Sequence, residues 1–339
     1  MLRIGSLTLS SPCILAPMAG ITDLPFRVIN RAFGCEFAFA EMISARALVY
    51  RSKTTEKMLT TNPDDRPLGV QLLGNDPGVM LRALDILRKH SPDLIDVNAA
   101  CPVNKVTKKG EGAAMLREPR KLGEVLRAVV ENSEVPVTVK IRSGWDEDSI
   151  NAGEVALHAQ DAGVSALFIH GRTRAQGYRG RVDYRVIREV KGLLRIPVMA
   201  SGDTFSARLV KKMFDETGCD GVTIARGALG NPWIFREAAE YLASGVLLPR
   251  PGIPQVMEVM MKHLDLCCDY RGEKAGTVLF RKFFGWYVKG IANVKTLRES
   301  AYRAETKKQM RELIESLRAD KDLFIAKDSE ERNSPFAPS

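Results

Sequence analysis

Short apolar runs recur along this chain, and each stops at a polar residue or a glycine. They are Ile14 to Ala16, Phe37 to Ala40, Leu68 to Val70, Leu94 to Val97, Val135 to Val139, Ala166 to Ile169, Ile196 to Ala200 and Gly221 to Ala225. Runs this short predict strands, and their near-continuous apolarity suits strands covered on both faces. Between them, apolar residues recur with helical spacing over Val79 to Lys89, Lys121 to Asn132, Ile150 to Ala162, Val186 to Leu194 and Ala207 to Thr217. Strand and helix in alternation imply a parallel sheet built by right-handed crossovers. Eight such strands in about 225 residues fit an α/β fold of the (β/α)8 TIM-barrel type, typically about 250 residues long. The rival, a doubly wound sheet, would carry a glycine fingerprint after its first strand; Ala16-Pro17-Met18-Ala19-Gly20 is not one.

The texture changes after Ser244. Leu247 to Gly252 reads as a linker, and Gln255 to Leu323 is helical in pattern. The expected organisation is a barrel over 1–244, a small helical bundle over 245–325 and a tail over 326–339 whose composition predicts disorder.

In a barrel the residues that end the strands meet on one face, where active sites sit. Those residues are Pro17-Met18-Ala19, Glu41, Gln71, Asn98 with Cys101, Lys140, His170, Ser201-Gly202-Asp203 and Ala225-Arg226-Gly227. Any one of them reads equally well as a satisfied strand terminus; their convergence points to a site. Cys101 follows a buried strand and opens a glycine-bearing loop, which sets a thiol at a mouth. A free cysteine taken alone is more often a small buried hydrophobe. Lys140 ends a buried strand and needs a polar site or a partner, with Asp96 and Glu41 the alternatives for an ion pair. Gln71 offers a donor and an acceptor to an amide-like ring edge. The loops after strands seven and eight, with Gly202, Gly227 and Arg226, suit a phosphate held by backbone N–H groups, or are two ordinary tight turns.

Fifty Lys and Arg against 41 Asp and Glu give a net charge of +9, which suits a polyanionic partner or a plain basic surface. The six cysteines show no C-x-x-C spacing, so neither a metal site nor a disulfide framework is expected. No apolar stretch reaches spanning length, so no membrane partner is expected, and a reducing cytoplasm is the expected compartment.

The segments Ala16 to Asp23, Gln71-Leu72, Asn98 to Pro102, Lys140-Ile141-Arg142, His170 to Arg174, Ser201-Gly202-Asp203 and Asn231-Pro232-Trp233 resemble, in order and spacing, the signature of the tRNA-dihydrouridine synthases. The resemblance runs over about residues 4 to 310, with Arg281-Lys282 and Gly285-Trp286-Tyr287 in the helical part. It implies FMN contacts at Pro17, Met18, Ala19, Gln71, Lys140, His170, Ser201, Gly202, Asp203, Ala225 and Arg226. It implies tRNA as partner, NADPH (or NADH) as reductant, hydride delivery from flavin N5 to uridine C6, and Cys101 as the proton donor to C5. Contacts to tRNA are expected at Asn98, Lys105, Arg172, Arg174, Arg281, Lys282 and Lys289, in a protein expected to be monomeric. Three positions depart from the family pattern: Ala100 where glycine is usual, Ser201 where asparagine is commoner, and Phe283 where a histidine often follows Arg281-Lys282.

Three other readings remain open at this level. A dihydroorotate dehydrogenase-like barrel would act on a free pyrimidine with Cys101 as base. An RNA-binding protein with a vestigial pocket would take up no FMN. Cys101 could also attack C6 as a nucleophile.

Overall fold

The computed structural model describes residues 1–319 and opens with an antiparallel hairpin, β1 (Leu2–Ile4) and β2 (Leu7–Leu9). The strands that follow are β3 (Cys13–Leu15), β4 (Phe37–Phe39), β5 (Ile43–Ser44), β6 (Leu68–Leu73), β7 (Leu94–Ala99), β8 (Val137–Arg142), β9 (Ala166–His170), β10 (Val198–Ser201) and β11 (Gly221–Ile224). Among the described residues, eight of them pair in parallel and close a barrel, through β11–β3 at one seam and β4–β6 at another, while short β5 extends β6. The expected (β/α)8 fold is the observed one.

Helices α1 (Leu24–Arg31), α2 (Ala45–Val49), α3 (Lys53–Met58), α4 (Pro77–Leu87) and α5 (Asn104–Thr107) belong to its first half. Helices α6 (Pro119–Asn132), α7 (Ala152–Asp161), α8 (Tyr184–Leu193), α9 (Ala207–Thr217) and α10 (Ile234–Ser244) complete the ring. Residues 245–252 carry no regular element. Beyond them come α11 (Ile253–Arg271), α12 (Glu273–Tyr287), α13 (Lys295–Ala301) and α14 (Lys307–Ala319). The tail expected over 326–339 lies outside the described residues.

Strand parity organises the core, because successive side chains point to opposite faces. Ile14, Phe37, Phe39, Leu94, Ala166, Phe168 and Met199 fill the barrel with Leu2, Ile4 and Leu9 of the hairpin. Their strand neighbours Leu15, Ala38, Ile95, Leu167 and Val198 join the larger core under the helices. The hairpin therefore packs against the barrel interior. Climbing each strand two residues at a time, the interior changes from apolar to polar: Leu94 to Asp96 to Asn98, Phe168 to His170, Met199 to Ser201. Register carries this around the ring, with Gln71 beside Asp96, Asn98 beside Lys140, Lys140 beside Phe168, and His170 beside Arg142 and Ser201.

Three elements escape the sequence pattern: the hairpin, α1, and the α2–α3 excursion. The period of α1 is obscured because the helix buries Arg27 and Asn30. Arg27 is fully buried against Asp65 at 2.6 Å, and Arg31 reaches the same carboxylate at 2.8 Å. A charge that reads as surface is here a tie between α1 and the segment before β6.

Candidate active site

At the carboxyl ends of β6, β7 and β8 the inward side chains form one hydrogen-bonded layer. Gln71 Nε2 donates to Asp96 Oδ2 at 2.8 Å, and Thr138 Oγ1 donates to Asp96 Oδ1 at 2.7 Å. Asn98 Nδ2 donates to Gln71 Oε1 at 2.7 Å. The other end of the Asn98 amide accepts from the backbone N–H groups of Ala100 and Cys101 at 3.0 and 2.9 Å. That pair of bonds turns the chain out of β7 and lifts Cys101 to the rim. Arg142 holds the same turn from β8, donating to Ala100 O at 2.7 Å and to the carbonyls of Thr173 and Gly177 at 3.0 and 2.9 Å. Among the described residues Cys101 is the one thiol outside the buried class. Burial pushes the Cys101 thiol up from its ordinary value, against a smaller pull from the Val103 backbone N–H and the Arg142 charge, so at neutral pH it is a thiol.

Lys140 forms no hydrogen bond or ion pair with the described residues, so the sequence alternative of a direct pair with Asp96 or Glu41 does not hold. Burial depresses Lys140 to about 8, while the Asp96 charge pulls it up. Burial raises Asp96 to about 6, opposed by its hydrogen bonds to Thr138 and Gln71 and by the Lys140 charge. His170 is held neutral, first by burial and then by the charges of Arg142, Lys140, Arg172 and Arg226 around it. Four cations thus lie about a neutral imidazole, two of them, Arg172 and Arg226, paired with Asp203. Gly202 has φ +127, and a Cβ there would stand 2.6 Å from Val182 and 2.9 Å from the His170 ring. The backbone thus runs against the imidazole as only glycine allows. Gly227 is equally tight, since a Cβ would lie 2.1 Å from the Thr204 carbonyl oxygen and force the β10 and β11 loops apart.

Asp203 spends its carboxylate on Arg172, at 3.0 and 2.5 Å, and on Arg226 at 3.1 Å. Arg226 also lies over the rings of Tyr178 at 4.7 Å and Phe205 at 5.0 Å. One expectation is corrected here. Arg172, read from its loop position as a tRNA contact, is 2 % exposed and also bonds the carbonyls of Arg179 and Gly180. Its guanidinium braces the loop from inside, because the β10 loop supplies a carboxylate that sequence order does not reveal.

The other expected positions stand at the rim. Pro17 and Met18 are half-buried and Ala19 is exposed in the turn after β3, whose Gly20 N–H is accepted by Glu41 and whose Gly20 carbonyl is bonded by Lys282 of α12. Lys282 is therefore fastened to the barrel mouth. Ser201 is buried, its hydroxyl donating to Ile169 O at 3.3 Å, and Ala225 is half-buried. Lys105 is exposed, and Arg174 bonds Asn104 beside it. Arg281 donates to Ala304 O at 2.8 Å, and Lys289 is exposed on a cleft shared with Arg250 and Trp286. Phe283, Phe284 and Tyr287 are core, and only Trp286 of that group is partly open. Sequence reasoning left Thr138 and Arg142 without a role and named Asp96 only as an alternative ion-pair partner of Lys140. Their period-2 relation to Asn98 and Lys140 is the signal that would have assigned them to the same face.

A closed parallel barrel with a polar, cation-rich layer at the carboxyl ends of its strands defines a (β/α)8-barrel enzyme. The sequence profile described as dihydrouridine synthase (Dus) matches residues 14–323, and the chain belongs to that family. It is 39% identical over 303 residues to tRNA-dihydrouridine synthase B of Pseudomonas aeruginosa, covering 89% of this chain and 91% of that protein. A probable tRNA-dihydrouridine synthase of Rickettsia bellii is 37% identical, covering 86% of this chain and 90% of that protein. Among solved structures, histamine dehydrogenase from Rhizobium sp. 4-9 superposes with a TM-score of 0.53 at 13% identity, over 78% of this chain and 50% of that one. A 2-naphthoyl-CoA reductase does so at 0.56 and 10%, over 70% and 51%. At these identities the structural likeness concerns the fold alone.

Proposed function

We propose that this chain reduces the C5=C6 bond of uridines in tRNA to 5,6-dihydrouridine, with FMN as its cofactor, NADPH as reductant and Cys101 as proton donor. The observation that carries the reading is Cys101 itself, a half-exposed thiol at the barrel mouth held by Asn98 and Arg142 against the polar layer. The residues fit the cofactor. Lys140 has an ammonium with no hydrogen-bond or ion-pair partner among the described residues, and cations surround His170. Gly202 and Gly227 bring bare backbone to the loops where a phosphate would rest. Bound FMN would supply the hydride for C6.

The chain's own groups account for the remainder. Lys140 offers positive charge and a hydrogen bond to a ring edge that becomes anionic. Gln71, with its carbonyl bonded to Asn98 and one amide proton bonded to Asp96, keeps its other amide proton for a ring carbonyl. Cys101 gives its proton to C5. Because burial raises this thiol, the structure favours the acid over the nucleophile. A base in folded RNA must be unstacked and turned out to reach this depth, and Lys105, Arg174, Arg281, Lys282 and Lys289 would hold the backbone while that happens.

Replacing Cys101 with alanine tests the assignment. Dihydrouridine formation on unmodified tRNA should slow by roughly 10²–10⁴-fold, the usual worth of a positioned acid, while tRNA affinity is retained. An unchanged rate would remove Cys101 from the mechanism.

A further inference from the structure

On the rim beside Cys101, one indole carries two guanidinium groups. Arg174 lies 4.5 Å and Arg117 5.1 Å from the Trp145 ring centroid. The three residues come from three loops. Trp145 follows β8, Arg174 follows β9, and Arg117 closes the 3-10 turn Gly112–Arg117 beyond the Cys101 loop. Backbone bonds join the first two loops, from Arg174 N to Gly144 O and from Ala175 N to Trp145 O, both 2.9 Å. Arg174 Nη2 then donates to Asn104 Oδ1, three residues past Cys101.

The rim arginines differ from their neighbours in what they are bonded to. Arg142 is spent on three carbonyls and Arg172 on Asp203. Neither Arg174 nor Arg117 has a carboxylate partner among the described residues, and Arg174 Nε is buried with no hydrogen-bond acceptor among them. Two like charges on one ring repel, and a buried guanidinium N–H without an acceptor is costly. Both penalties are relieved by the same kind of group, an oxyanion. A guanidinium presents its donors in a fork that matches phosphate oxygens, and a ring beneath it holds that fork in place.

We propose that Arg174 and Arg117, braced on Trp145, form an anchor for the phosphodiester backbone of the RNA next to the uridine that enters the barrel. This rests on the reading of tRNA as substrate. The anchor sits on the bank of the mouth formed by the β7, β8 and β9 loops. The helical segment, reaching Gly20 through Lys282, forms the bank beside β3. The RNA is then held on both sides of the opening.

The test uses the holoenzyme and unmodified tRNA, with affinity measured against salt concentration. Arg174→Ala and Arg117→Ala should each lower the log–log slope by about 0.7–0.9, about five- to tenfold weaker binding at 0.1 M salt for each phosphate released from the anchor. Trp145→Leu keeps both charges and removes the brace, so it should lower the slope as well, whereas a diffuse charge effect would leave it at the wild-type value. Thermal unfolding and retained flavin absorbance identify variants that keep the fold. Wild-type slopes in Arg174→Ala, or in Trp145→Leu, would overturn the anchor. A wild-type enzyme that binds tRNA steeply with salt and never reduces it would instead overturn the substrate reading and leave the anchor standing.

Discussion

Lys140 and Asp96 sit on adjacent strands of the same interior face, and their charges oppose what burial does to each. Lys140 falls to about 8 because burial penalises its ammonium, and Asp96 limits that fall. If protonated Lys140 supports the reaction, the pH–rate profile should lose activity as pH rises through about 8. Asp96→Asn removes the charge that raises Lys140. The Lys140 pKa should then drop further, and the alkaline limb should move to lower pH. A limb that stays near 8 in this variant would belong to another group. Sequence reasoning picked out Cys101, Lys140 and His170 because a strand end is legible in one dimension. It placed Arg172 on the RNA, because residue type on a loop does not distinguish a free guanidinium from one committed to Asp203.

The elements that matter most are the loops after β10 and β11, where glycine sets the spacing. Gly202→Ala would place a methyl group 2.9 Å from the His170 ring at a φ of +127, where L residues rarely go. The loop or the imidazole must shift, at a cost of roughly 1–3 kcal/mol. The expected result is a folded barrel that loses flavin, read as a lower ratio of flavin to protein absorbance after purification. The glycine positions were visible in the sequence. The barrel strands were too, because an apolar run of three to five residues is long enough to cross a sheet and too short for a buried helix. The hairpin and α1 were not. Each hairpin strand is three residues with a polar one at its centre, Arg3 or Thr8, so neither forms an apolar run. Helix α1 hides a fully buried arginine whose partner, Asp65, lies 38 positions away.

Across the whole molecule, the helical segment and the barrel share a core. Phe26 of α1 stacks on Phe283 of α12 with centroids 5.6 Å apart, and the His263 ring lies 4.3 Å from Phe283. His263 is kept neutral by burial, lowered to about 3, and its Nδ1 meets Tyr287 OH at 3.0 Å. Phe283→Ala should therefore destabilise by roughly 3–5 kcal/mol. Urea unfolding followed by circular dichroism and by flavin fluorescence should shift together. A flavin signal that keeps its wild-type midpoint would mean that the barrel does not depend on this packing.

The order of apolar runs and helical stretches by itself determined the barrel, since alternating strand and helix can cover both faces of a parallel sheet in few other ways. The same order determined which residues gather at one end, because parallel strands all finish on the same side. Tertiary structure alone decided which charges are free. Closing the ring brought Asp203 to Arg172 and Arg226, left Lys140 without a hydrogen-bond or ion-pair partner among the described residues, and set Arg117 and Arg174 on one indole. Those outcomes depend on distances between side chains from strands and loops far apart in the chain. A periodicity records which way a residue faces, and not what it meets there.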